Sequence, residues 1–206
     1  MAFKRRASQR SFGWLLLAVP SSDRAPSNRC WANAEVLGRM GYTTEFSGAL
    51  RVTPVLRREH AQYLRTFAQT RRVARHEALV SLLADADREA VALPIGLQGA
   101  YFVGAKGFAG QDRGHPSIID YNQPPSGQPG LWCQWIPNAD GALLEWDQNE
   151  KFYFYVEWLQ YLIEQFLGPW GYSLNGEVRW TGEEPGDEGT IAVVNSQINV
   201  LTDEAG

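Results

Sequence analysis

Cysteine is nearly missing from this chain. Cys30 and Cys133 are the only two in 206 residues, too few to staple a secreted scaffold and without the spacing of a metal site. A reducing, cytoplasmic setting fits that usage. Histidine is almost as sparse: His60, His76 and His115 lie far apart, and no two stand at a metal-ligating step, so no metal site is expected. Long apolar runs are also lacking. Gly13 to Val19 follows a basic stretch with Lys4, Arg5, Arg6 and Arg10, but Pro20-Ser21-Ser22 is a poor match to a cleavage site. That run is far shorter than the roughly 20 residues of a membrane span. No strong catalytic or cofactor motif occurs, and no cofactor is expected.

Apolar residues at 44% and charged residues at 20% sit near the globular average, which excludes a disordered, collagenous or coiled-coil chain. The length suits one domain with appendages. Aromatics stand out, with eight Trp. The net charge of -4 conceals an asymmetry: the chain is basic up to Ala90 and strongly acidic beyond it. An acidic C-terminal part argues against a nucleic-acid surface there. The arginines Arg57, Arg58, Arg65, Arg71, Arg72 and Arg75 cluster in or after one predicted helix. They read as a solvated face or as partners for the acidic half, with nucleic acid disfavoured because no aromatic-basic interleaving accompanies them.

Residues 1–39 show no sustained period and read as a disordered or over-extended tail, leaving 40–206 as a single domain. Glu45 to Thr53 alternates as a half-buried strand. A helix is predicted over Arg57 to about Arg72 and a weaker one over His76 to Ala90, followed by a short buried strand at Ala100 to Val103. Residues 104–130 form a long loop rich in Gly and Pro. Leu131–Ile136 and Ala142–Trp146 then flank Pro137-Asn138-Ala139-Asp140-Gly141 as a hairpin. Asp147 and Glu150 have the spacing of a capping box, which predicts an amphipathic helix from there to Gly168. Strands at Glu177–Thr181 and Thr190–Val194 close the pattern. This order predicts an α+β fold: a two-layer sandwich with a mainly antiparallel sheet, helices on one face and a ferredoxin-like arrangement.

The segments DYNQPPSGQPGLWCQW, from Asp120, and EKFYFYVEWLQYLIEQFLGPWGY, from Glu150, resemble a family of small uncharacterised bacterial proteins. The likeness runs from about Phe46 to Val200 and includes FSGALRVTP, LPIGLQGAYFVG and LNGEVRWTGEEPGDEGTI. It implies a shared fold and carries no mechanism. The C-terminal part is also similar, in topology alone, to ferredoxin-like domains of some phage and plasmid accessory proteins.

For catalysis the best constellation is His115, Asp120 and Cys133, since a thiolate needs a base and the base needs an orienting acceptor. A hydrolase or transferase could use His115 with Asp120 or Cys133. Against this, Cys133 lies in mid-strand, where cysteine is usually an inert small hydrophobe. Asp112, Asp120, Asp147 and Glu150 supply carboxylates, two of them explained by capping. Gly104, Gly107 and Gly110 only loosely match a phosphate loop. Six of the eight tryptophans fall between Trp132 and Trp180, beside a run of amides. The default site is therefore a Trp-rich pocket bounded by the long loop and the hairpin, with Tyr121, Asn122, Gln128, Trp132 and Gln134 as ligand-binding candidates. The expected partner is a small molecule or another protein, with no membrane involved.

Overall fold

The alternating run becomes β1 (Thr44–Thr53), with Leu50 and Val52 buried and Arg51 and Thr53 exposed. The computed structural model describes residues 42–104 and 113–202, all within the unit Met40–Gly206. The tail expected at 1–39 and the loop from 105 to 112 lie outside the described residues.

α1 (Arg58–Ala68) follows, burying Ala61, Leu64, Phe67 and Ala68 along one stripe. It is shorter than predicted because Thr70 turns its hydroxyl onto the Thr66 and Val103 carbonyls, and the Arg72 N–H goes to Leu131. β2 (Ala74–Arg75) comes next. The helix predicted over 76–90 breaks into α2 (Glu77–Val80) and α3 (Ala86–Ala90). Asp85 causes the break: its carboxylate is drawn inward to the Val103 N–H and the Arg88 guanidinium. The strand expected at Ala100–Val103 is buried but joins no sheet. The Ala100 and Phe102 carbonyls accept instead from the side chain of Arg72. Within the long loop, β3 (Ile118–Asp120) pairs with β2.

β4 (Trp135–Pro137) and β5 (Leu143–Trp146) form the expected hairpin. No helix starts at Asp147. The Asp147 carboxylate accepts from both the backbone N–H and the side-chain amide of Asn149, so a local turn defeats the capping box. The helix begins later, as α4 (Tyr155–Leu162), and continues into a π-helical turn over Ile163–Leu167. β6 (Ser173–Gly182), β7 (Glu188–Val194) and β8 (Gln197–Thr202) end the described chain.

The fold is α+β, with a six-stranded sheet of order β4-β5-β1-β6-β7-β8 in which every neighbouring pair is antiparallel. Two glycines let the central strands meet. Gly48 has φ +98°, with the Glu177 carbonyl oxygen 2.6 Å from where a Cβ would stand, and Gly176 has φ +136°, with the Ala49 oxygen at 2.9 Å. One core joins the inward residues of the sheet, such as Leu50, Leu144, Leu174 and Ile191, to Leu64 and Phe67 of α1 and to Trp158 and Leu159 of α4. On the other side of the strands Ser47, Arg51, Glu177, Arg179 and Thr181 face solvent. Among the described residues no helix is long and apolar enough to cross a membrane.

Candidate functional site

A groove of about 800 Å³ opens between the segment at 122–134, the end of α1 at Ala68-Gln69, and the segment 147–154 that precedes α4. Its first wall is fixed from inside. Arg72 is 2% exposed, and its guanidinium donates to Gln128 Oε1 at 3.2 Å, Phe102 O at 2.8 Å and Ala100 O at 2.8 Å, while lying 4.2 Å over the Phe67 ring. Burial pushes its pKa below the ordinary arginine value. Carbonyl dipoles surround the cation in place of a carboxylate, which suits a planar group with five donors. The Gln128 side-chain N–H donates in turn to Ala100 O at 2.6 Å and to the Tyr161 hydroxyl at 3.0 Å. This network holds the loop against residues 100–102.

The second wall is built differently. Gln148, Lys151 and Phe154 all have positive φ, at 66°, 63° and 57°, a conformation costing roughly 1 kcal/mol or more for residues with side chains. The segment is held there by a few anchors. Phe152 is 2% exposed and packs against Phe46, Trp135 and Tyr155. The Gln134 amide donates to Glu150 O at 3.0 Å, and the Trp146 indole N–H reaches Gln134 Oε1 and Asn149 O. With Phe152 fixed inside, its neighbours are forced outward, leaving Tyr153 51% and Phe154 44% exposed. Across the groove Trp132 is 40% exposed.

Of the five sequence candidates, Asn122, Trp132 and Gln134 line this groove. Tyr121 does not; its ring lies under the Arg71 guanidinium at 4.4 Å and its carbonyl accepts from Arg71. Gln128 lines an adjoining depression with Glu157, Gln160, Tyr161 and Glu164, which shares Pro129 and Phe154 with the groove. Its amide is already engaged by Arg72, so its position is structural. Sequence reasoning misses Tyr153 and Phe154 because it places them within a helix, and misses Glu157 because a glutamate on the outer face of that helix reads as ordinary solvated charge. The aromatic string from Phe152 to Tyr155 fits no single helical stripe, and that was the available signal.

The catalytic candidates are not brought into mutual contact. His115 Nδ1 pairs with the Ser117 hydroxyl at 2.8 Å, Asp120 Oδ1 accepts from the Asn122 N–H, and Cys133 Sγ lies 4.0 Å from the Trp135 carbonyl oxygen. Cys133 is fully buried, and burial pushes its thiol up to about 12, the opposite of an activated nucleophile. Asp112, Gly107 and Gly110 lie outside the described residues. Among the described residues no group of three or more His, Cys, Asp or Glu side chains is arranged to hold a metal ion.

The expectation that the arginines pair with the acidic half or face solvent is corrected in part. Arg65 donates to the Pro137, Asn138 and Ala139 carbonyls, and Arg72 to those of Ala100 and Phe102, because loop carbonyls leaving regular structure need donors. Arg75 is 2% exposed, donates to Ser117 Oγ and has its pKa lowered to about 10 by burial and then by Arg72. Compared with known proteins, the chain matches no family model, no curated protein and no solved structure.

Proposed function

We propose that the domain from residue 40 onward is a ligand-binding or interaction module whose site is the aromatic groove. One observation carries the reading: Trp132, Tyr153 and Phe154 are all more than a third exposed and line the same groove. Exposed large aromatics normally minimise their contact with water, and three around one concavity mark a recognition surface rather than chance exposure. The strained backbone at Lys151 and Phe154 adds support, since left-handed residues persist where the surrounding structure holds them for a purpose other than stability. The rival catalytic reading has no comparable support in the positions of His115, Asp120 and Cys133.

A finer fold assignment belongs to the same proposal. The succession β1-α1-β4-β5-α4-β6, with order β4-β5-β1-β6 in an antiparallel sheet, supports a ferredoxin-like two-layer sandwich. The β7-β8 hairpin then extends it at one edge. A cytoplasmic setting is also part of the proposal and rests on the sparse cysteine, with Cys133 a free thiol.

The test is a screen of nucleotides, sugars and short peptides by thermal shift and tryptophan fluorescence, with Trp132→Ala and Tyr153→Ala alongside the parent. Any true groove ligand loses affinity at least tenfold in both variants while their melting temperatures stay close to the parent's. Ligands that bind both variants unchanged would move the site elsewhere.

A further inference from the structure

Charge along the groove is one-sided. Asp147 and Glu150 line it, and Glu157 and Glu164 line the depression that continues past Phe154; among the described residues Lys151 is the only basic side chain lining either, with the Arg71 guanidinium 5.9 Å from the Trp132 ring at one side. A surface of this sign repels anionic ligands and attracts cations.

Two buried polar atoms along this path lack a partner. Glu157 Oε2 is inaccessible to solvent and makes no hydrogen bond, and burial raises the pKa of its carboxyl. Protonation relieves such a buried oxygen, while the side chain as a whole lines the depression beside Gln160 and Glu164. The second atom is the indole nitrogen of Trp158, a residue with 0% exposure. It lies behind Gly130 in the groove wall: a Cβ on Gly130 would stand 3.6 Å from Trp158 Nε1 and 3.2 Å from Phe154 Cδ2. Gly130 and Phe154 thus seal the indole nitrogen from the groove. A basic side chain offers a counter-charge to the carboxylates lining the groove and the depression.

From these features we infer that the groove takes an extended basic peptide segment of a partner protein. Apolar or proline residues of the peptide stack on Trp132, Tyr153 and Phe154. An arginine or lysine of the peptide passes the Phe154 ring to pair with the Glu157 and Glu164 side chains that line the depression. Aromatic faces also favour a passing cation, as the Arg71 guanidinium over Tyr121 already illustrates within the chain. Extended peptides on aromatic grooves with acidic flanks form a recurrent recognition mode. The inference rests on the groove being the binding site proposed above, and the experiment separates the two.

The probe is a short fluorescein-labelled peptide of Arg, Pro and Leu, compared by anisotropy with the same peptide carrying Glu for Arg and with a neutral oligosaccharide. The basic peptide binds, and its affinity falls as salt is raised from low to physiological concentration. Glu157→Gln weakens it roughly tenfold, the scale of one lost charge contact, with a melting temperature at or above the parent's. The Glu peptide does not bind. Equal binding of both peptides, or Glu157→Gln without effect, overturns the inference. If the oligosaccharide binds instead, weakened by Trp132→Ala and indifferent to Glu157→Gln, the groove stands and the basic-peptide inference fails. If none of the probes depends on Trp132, both readings fall.

Discussion

The two walls of the groove solve opposite problems. The wall at 122–134 is polar inside and unstrained: a fully buried guanidinium and the Gln128 amide tie loop to loop through carbonyl oxygens. The wall at 147–154 is aromatic and strained, with one ring anchored in the core and two thrust outward from three left-handed residues. The difference separates residues that resemble a site in sequence from those that form one. Amides beside an aromatic cluster read as ligand contacts, yet Gln128 bonds to the protein itself. The aromatic segment reads as a helix, yet it presents the exposed rings.

The comparison breaks most completely at Arg72. Replacement by Met keeps bulk but leaves the Phe102 carbonyl and the Gln128 oxygen without a donor and the Ala100 carbonyl with Gln128 alone, and should cost about 3–5 kcal/mol. Lys in its place should recover little, because an ammonium cannot span donors directed at three separate oxygens. Urea unfolding measures both. On the other wall Phe152→Ala removes the anchor and should cost about 3–4 kcal/mol; it should also abolish ligand binding in molecules that remain folded. Gln128→Ala strips one partner from Arg72 and should cost about 1–3 kcal/mol. The strained wall responds with the other sign. Lys151→Gly relieves a left-handed backbone without removing buried area and should stabilise the fold by about 1 kcal/mol, visible as a higher melting temperature.

A subtler asymmetry concerns pH. Burial raises the Glu157 carboxyl above its ordinary value, so the folded chain binds its proton more tightly than the unfolded one. That stabilisation is complete below the unfolded pKa and is lost as pH rises through the folded pKa. Above the folded pKa the ionised side chain is therefore a liability, and Glu157→Gln should melt higher than the parent there. In acid, with Glu157 protonated, the difference should vanish. Differential scanning calorimetry across this range checks it.

Much of the fold was legible in sequence where one period ran uninterrupted. β1 alternated over its length, the turn at Asn138 to Gly141 announced the β4-β5 hairpin, and α1 declared its stripe. Failures came where side chains redirected the backbone. Asp85 split one expected helix, and Asp147 formed a turn with Asn149 instead of a cap. β8 went unread because its two-residue turn, Asn195-Ser196 with φ 48° and 64°, lacks the glycine that usually signals such a hairpin. For the site, Asn122, Trp132 and Gln134 were legible as polar and aromatic neighbours of the loop. Tyr153 and Phe154 were not, since no local pattern tells which of four consecutive aromatics the core will take.

The most direct test pairs one residue from each wall, Tyr153→Ala and Gln128→Ala, and measures melting temperature and affinity for the labelled basic peptide in the same preparations. Tyr153→Ala should keep its melting temperature and lose affinity, whereas Gln128→Ala should lose several degrees of stability and, below its melting point, bind as the parent does. Loss of affinity in Gln128→Ala with an unchanged melting temperature, alongside normal binding by Tyr153→Ala, would contradict the assignment of holding to Gln128 and recognition to the exposed rings.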